Sequence, residues 1–144
     1  MMKIITTEEE WHFACKIRKS EFFDKAGFAE DPYVWTFDHP EHKHFVFYNG
    51  ADIVSYAHIQ LWPENRAAFR IIVTDEKARG KGFGSKFLTL IEKWLKDEAY
   101  KSIHAESSPG SVNFYKKHGY ILMDFNCPSG DPTHPLDTEM GKIL

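Results

Sequence analysis

The chain has 144 residues, 42% of them hydrophobic and 27% charged, with a net charge of −3. A chain of this size fits one compact domain, residues 1–144, that buries roughly two-thirds of its unfolded surface. No apolar run approaches the ~20 residues of a membrane span, and the start, MMKIITTEEE, lacks the apolar core of a secretory signal. A cytoplasmic protein with no membrane partner is expected. The slight acidity argues against general nucleic-acid binding, which requires a basic excess. Two cysteines, Cys15 and Cys127, without a CxxC pair, suggest neither a disulfide framework nor structural zinc; they read as buried, reduced thiols.

In chain order, MKIIT reads as a short strand. Thr7 followed by Glu10 is a capping-box signature for a helix running to about Phe23, with Trp11, Ala14, Ile17, Arg18 and Phe22 along one side. From Asp24 to Lys43, Gly27, Pro32 and Pro40 break any period, predicting a loop or a broken second helix. HFVFY, closed by Asn49-Gly50 and followed by DIVSYAHIQLW, predicts a hairpin. PENR is a second turn, and AAFRIIV extends the antiparallel meander to Val73. Phe87, Leu88, Ile91, Trp94 and Leu95 recur at helical spacing and define one buried stripe. A strand KSIHA, a short helix SVNFYKKHG stopped by Gly119, a strand YILMDF and a last strand near DTEMGKIL complete the chain. The fold class is α+β, with a mostly antiparallel mixed sheet flanked by helices.

Between Lys77 and Lys86 lie four basic residues and no acid, whereas His118 to Gly141 contains acids but no Lys or Arg. The basic stretch contains Gly80-x-Gly82-x-Gly84 between a strand and a helix. Successive backbone N–H groups at a helix N-terminus, with no side chain in the way, favour a phosphate. Arg79, Lys81 and Lys86 add charge around it. A P-loop does not fit, because Ser85 precedes Lys86, and a dinucleotide fingerprint requires a parallel βαβ unit. A glycine-rich turn without a ligand is the plain alternative.

RGKGFG after a strand, followed some thirty residues later by NFYKKHGY, resembles the GNAT superfamily of acetyl-CoA-dependent N-acetyltransferases. The family pattern Arg/Gln-x-x-Gly-x-Gly/Ala, which binds the pyrophosphate of coenzyme A, falls on Arg79, Gly82 and Gly84, and the resemblance extends the cofactor loop to Gly80, Lys81, Phe83 and Ser85. It also implies that Tyr115 lies near the thioester sulfur and that Ile71, Ile72 and Val73 offer backbone groups to the pantetheine arm. Ser108 stands at the position of a family Asn that contacts the cofactor, and Ser55 replaces a glycine common in the third strand. The segment from Asp24 to Lys43 borders the acceptor pocket in the family.

The resemblance implies attack of a neutral amine on a thioester. The Val73 N–H is the expected oxyanion donor and Tyr115 the group that serves the departing thiolate. His58, Glu106 and Asp38 are the candidate bases. The acceptor is a primary amine of a small molecule or peptide, and the acids around Glu30, Asp31 and Asp38 and from Asp124 to Glu139 suggest a cationic one. In DHPEHKH, His39, His42 and His44 carry metal-ligand chemistry but no recognised metal spacing, so a solvent-facing loop and no metal are expected. A non-catalytic acyl-CoA-binding module is the alternative function, and homodimerisation is open.

Overall fold

The computed structural model describes residues 1–144. Seven strands form one sheet in the order β1-β2-β3-β4-β5-β7-β6: β1 Met2–Ile4, β2 His42–Asn49, β3 Asp52–Trp62, β4 Arg66–Thr74, β5 Ser102–Ser107, β6 Ile121–Leu122 and β7 Thr138–Ile143. Three α-helices accompany it: α1 Glu8–Arg18, α2 Phe83–Asp97 and α3 Val112–Lys117. Every strand pair is antiparallel except β4–β5, as expected of an α+β chain whose one long helical crossover, α2, joins those two strands.

Helix α1 starts where its capping box places it. Thr7 Oγ1 accepts the Glu10 N–H, and Glu10 Oε1 accepts the Thr7 N–H. The helical path runs to Phe23 as anticipated, but its last turn widens to a π-helix over Lys19–Phe23, with Asp24 N–H donating to the Lys19 carbonyl. Phe22 and Phe23, at the end of this turn, line a cavity together with residues of β3 and β4. Between α1 and β2 there is no second α-helix. A 3-10 turn, Val34–Asp38, stands there instead, in keeping with the Pro and Gly breaks.

One face of the sheet is covered by α2 and α3. Phe87, Leu88, Ile91 and Leu95 are fully buried against Phe45, Ala57, Ile59 and Ile103, each contributing about 1.5–3 kcal/mol of burial. On the opposite face α1 packs Ala14 and Ile17 against Val46, Tyr56 and Ile71. The first hairpin closes one residue later than Asn49-Gly50 predicts. Asn49 pairs with Asp52, leaving Gly50-Ala51 as the turn, with Gly50 at φ +60. Of the predicted strand YILMDF, Ile121 and Leu122 alone form β6, and Asn126 at φ +48 turns the chain out of extended geometry. Cys15 is exposed on α1 and Cys127 half-buried, so neither thiol is the buried residue expected. No helix is long and apolar enough to cross a membrane.

Two irregularities of β4 shape the centre of the molecule. Its pairing with β5 begins at Arg66–Ser102 and ends at Phe69–Ala105, after which the strands part and leave Arg70–Thr74 without a partner on that side. At the same level a bulge opposite His58 inserts Arg70 into the ladder. Phe69 therefore packs toward α2 whereas Ile71 packs toward α1, a change of side that unbroken alternation would forbid.

Candidate functional site

The glycine loop leads directly into α2. Gly80 and Gly82 sit at φ +78 and +82, a left-handed conformation that side-chain-bearing residues adopt only at a cost. Gly82 is the N-cap of α2, and no side chain caps that end. The N–H groups of Phe83, Gly84 and Ser85 thus open the helix without an intrahelical acceptor, while Lys86 N–H is the first to find one, on the Gly82 carbonyl at 3.2 Å. The Arg79 side chain does not project freely: its Nε donates to the Thr74 carbonyl at 3.0 Å, and its Nη2 lies 3.1 Å from Glu21. Lys81 is exposed, beside Lys16 and Lys77. Ser85 Oγ lies 2.9 Å from His118 Nε2. Ser108 is exposed, precedes α3 and spends its hydroxyl on Ser111.

At the point where β4 and β5 part, Tyr115 packs on Phe69, the last paired residue of β4, with ring centroids 6.2 Å apart. Its ring is buried, and burial raises the phenol pKa far above its ordinary value, so the hydroxyl keeps its proton. That hydroxyl bonds nothing in the chain. The side-chain polar atoms sealed from water without a partner are Trp62 Nε1 and His104 Nδ1, so the Tyr115 oxygen has access to open space.

The N–H of Val73, the expected oxyanion donor, points to β3 and not to the split. Asp75 N–H donates to the Val54 carbonyl, and the register continues with Val73 opposite Tyr56. Ladder bonds alternate along an antiparallel strand, so Val73 turns its N–H to β3, as does Ile71. Ile72 and Thr74 turn theirs to the side that β5 has left. The Thr74 carbonyl points the same way, since it accepts from Arg79. Ser55, buried in β3, bonds the Thr74 hydroxyl at 2.8 Å.

On the α1 side of the same split lies a cavity of about 480 Å³. Its floor is His58, Gln60, Arg70 and Ile71 of β3 and β4, and its aromatic walls are Phe22, Phe23, Tyr33 and Trp35. Four residues of the segment from Asp24 to Lys43, namely Tyr33, Trp35, Thr36 and His42, thus border this cavity. Beneath it lies a network that sequence reading missed. Arg18, 1% exposed, makes a two-pronged ion pair with Asp31 at 2.6 and 3.1 Å and donates to Tyr56 Oη at 2.9 Å and His58 Nδ1 at 3.2 Å. Tyr56 then donates to His44 Nδ1 at 2.7 Å, and His44 Nε2–H to the Thr36 carbonyl at 3.1 Å. A guanidinium only donates, so His58 Nδ1 accepts, and its Nε2–H donates to His42 Nδ1 at 2.8 Å.

These bonds decide two expectations. His42 and His44 are buried strand residues rather than parts of a solvent-facing loop. His58 has its lone pair committed to Arg18, which removes it as a base. Asp38 lines a different depression, beside Ile4 and Trp11. Glu106, the first β5 residue past the last β4–β5 pair, stands at the split, with Oε1 3.5 Å from Arg70 Nη1.

The network also sets a pH response. Burial, followed by neighbouring positive charge, lowers the His42 pKa to about 4. Burial likewise lowers that of His44 to about 4, outweighing the Thr36 hydrogen bond. Unfolded imidazoles titrate near 6.5, so as pH falls the unfolded chain takes up protons first. Their contribution is complete above about pH 6.5 and declines toward pH 4, by at most about 1.4 kcal/mol per pH unit for each group. Thermal unfolding measured from pH 7 to 4 should show the midpoint falling through this window. The fall should be shallower in His42→Asn, whose amide oxygen can take the place of Nδ1; an identical slope would refute the assignment.

A sheet that splits beside an uncapped glycine-led helix sets phosphate-holding amides next to an open strand edge, the arrangement that the resemblance implies for an acyl-CoA transferase. Residues 7–120 match the acetyltransferase (GNAT) family model, and the chain belongs to that family. An acetyltransferase candidate of Bacillus subtilis (strain 168) is 25% identical over 121 residues, covering 83% of this chain and 82% of its own. Among solved structures, an aminoglycoside 6′-N-acetyltransferase complexed with coenzyme A superposes with a TM-score of 0.81 at 11% identity, covering 99% of this chain and 96% of that one. A PaiA N-acetyltransferase of Thermoplasma acidophilum in complex with coenzyme A does so with 0.71 at 14%, covering 100% and 99%. At such identities these structures speak for the fold.

Proposed function

We propose that this protein transfers the acetyl group of acetyl-CoA to a primary amine. The observation that carries the proposal is the split of β4 from β5 between the uncapped α2 terminus on one side and the aromatic cavity on the other. In this reading the amides of Phe83, Gly84 and Ser85 hold the pyrophosphate, with Lys81 adding charge and Arg79 steadied by Thr74 and Glu21. The pantetheine arm lies along the unpaired edge of β4. The amine nitrogen attacks the thioester carbon, and the carbonyl electrons move to oxygen. The N–H of Ile72, rather than that of Val73, stabilises this oxyanion; such donors contribute about 3 kcal/mol. Collapse expels the thiolate, which the Tyr115 hydroxyl meets as a hydrogen-bond donor. Glu106 takes the proton of the amine, directly or through water.

An alkyl ammonium has a reference pKa near 10, so at neutral pH the acceptor arrives as a cation. Of the acids that suggested a cationic acceptor, Asp31 is spent on Arg18 and Asp131 lines the cavity. The test is acetylation of a panel of amines followed by thiol release. With an accepted amine, activity should rise between about pH 6 and 9, and the apparent KM of the acceptor should increase with salt as the attraction is screened. Glu106→Gln should slow turnover about 10²-fold at pH 7, the low end for general bases, and approach wild type near pH 9.5, where free amine supplies itself. A pH-independent defect would remove Glu106 from this role. If acetyl-CoA binds but no amine is turned over, a non-catalytic acyl-CoA-binding module becomes the better reading.

A further inference from the structure

The cavity on the α1 side carries charges of both signs, and they are not equally free. Arg18 is saturated by its two-pronged pair with Asp31 and by Tyr56 and His58, leaving little for a ligand. Arg70 is held differently. Its Nε donates to Gln60 at a good 2.8 Å, but the outer edge of the guanidinium has partners at 3.5 Å, Glu106, and 3.4 Å, the Cys127 sulfur. The Glu106 contact is long for a charged donor and the Cys127 sulfur, at an ordinary N–H···S distance, is a weak acceptor, so a planar acid could displace both from the edge it would grip. Asp131 is the opposite case. It lines the cavity, accepts from the neighbouring Ser129 hydroxyl at 2.8 Å and is in no ion pair with any Lys or Arg of the chain.

The walls add a third term. Tyr33 and Trp35 line the cavity and yet are 49% and 57% exposed. Large rings left wet around a concave site are apolar surface that a ligand would cover. A free carboxylate, an available guanidinium edge and flat apolar walls within one cavity of about 480 Å³ describe a small molecule with matching features.

We infer that the acceptor is an amino-acid-type zwitterion, an amine that also bears an acid group, on an aromatic or flat apolar body. This rests on the acetyltransferase reading above and specifies its substrate class. Arg70 pairs with the acid group, Asp131 draws the ammonium, and Tyr33 and Trp35 cover the body. The same charges select against alternatives: a polyamine brings a second cation toward Arg70, with no second free carboxylate to meet it. Capture of the acid group by Arg70 also loosens the guanidinium from Glu106 at the moment the amine must lose its proton.

The test compares matched pairs. Phenylalanine, tyrosine and tryptophan are assayed against phenethylamine, tyramine and tryptamine, with spermidine as the polycation, following thiol release from acetyl-CoA. The carboxylated member of each pair should have the higher kcat/KM by about tenfold or more, and spermidine should be the poorest. Arg70→Gln should bring the ratio within each pair to near 1, while Asp131→Asn should weaken both members. A preference for the decarboxylated amines or for spermidine, or an Arg70→Gln variant that keeps the ratio, would overturn the inference. Binding is read separately, by calorimetry for coenzyme A and by Trp35 fluorescence with a Trp35→Phe control for the amino acids. Amino-acid binding without turnover would sink the acetyltransferase reading and leave the ligand class standing; coenzyme A binding and turnover of decarboxylated amines alone would do the reverse.

Discussion

Replacing Gly82 by Glu should abolish coenzyme A binding while leaving a folded protein. Nothing lies within 4 Å of a Cβ placed at Gly82, so the free chain meets no clash. The cost to the fold is the φ of +82, about 1–2 kcal/mol for a residue with a side chain, which lowers the unfolding temperature by several degrees without removing the transition. The cost to the ligand is far larger: a carboxylate would stand where the α2 amides are to hold a diphosphate, bringing like charge and bulk to the same spot. Calorimetric titration should show affinity reduced by 10²-fold or more. Gly82→Ala has the same backbone strain without the charge and should lose much less. Equal losses in the two variants would assign the effect to backbone geometry, and unchanged affinity in Gly82→Glu would reject the phosphate role.

Tyr115→Phe should lower kcat by about 10²-fold with little change in acetyl-CoA affinity. One oxygen is removed from a ring that Phe69, Phe114 and Tyr120 hold on three sides, so packing survives. The size of the effect follows from acidity. Burial raises the phenol pKa, whereas an ordinary thiol titrates near 8.5; full proton transfer to the thiolate is therefore unfavourable, and the hydroxyl acts by hydrogen bonding as charge gathers on sulfur. That places the loss at the lower end of acid–base contributions. A fall in kcat matched by an equal fall in coenzyme A affinity would mean that the ring had moved, and wild-type turnover would leave Tyr115 a core residue only.

Where chemistry lies in local sequence, the sequence displayed it. In the Thr7–Glu10 box, the α2 stripe and the glycine loop, successive members are no more than about four positions apart, and the cap, the helix and the strand–loop–helix order form as expected. The Asn49-Gly50 signal located its hairpin but missed the turn by one residue; the β2–β3 register shifts between Phe47 and Tyr48, and a two-residue signal carries no information about such a bulge. The cavity network was hidden for a different reason. The hydrogen-bonded pairs Arg18–Tyr56, Arg18–His58 and His44–Tyr56 are 12 to 40 residues apart, and a histidine in an alternating strand looks like a surface residue until a partner from another element covers it. Which of Val73 and Ile72 turns its N–H to the split could not be told without the register, because one step along a strand reverses the direction of the amide.

The bulge at Arg70 has a bearing on how such a protein tolerates change. The groups assigned to the oxyanion and the pyrophosphate are main-chain atoms, which every residue but proline supplies alike. Substitutions along β4 and the first turn of α2 can alter bulk and packing while leaving those N–H groups where they were. This fits with sharing the architecture of coenzyme A complexes at 11% and 14% identity. What such a site cannot absorb is a change in count. One residue deleted from β4 between the bulge and Thr74 would present the opposite set of amides to the split, and every side chain could remain chemically sensible while the proposed row of donors disappeared. The heritable content of this site is thus in large part a length, the number of residues between Phe69 and Gly82.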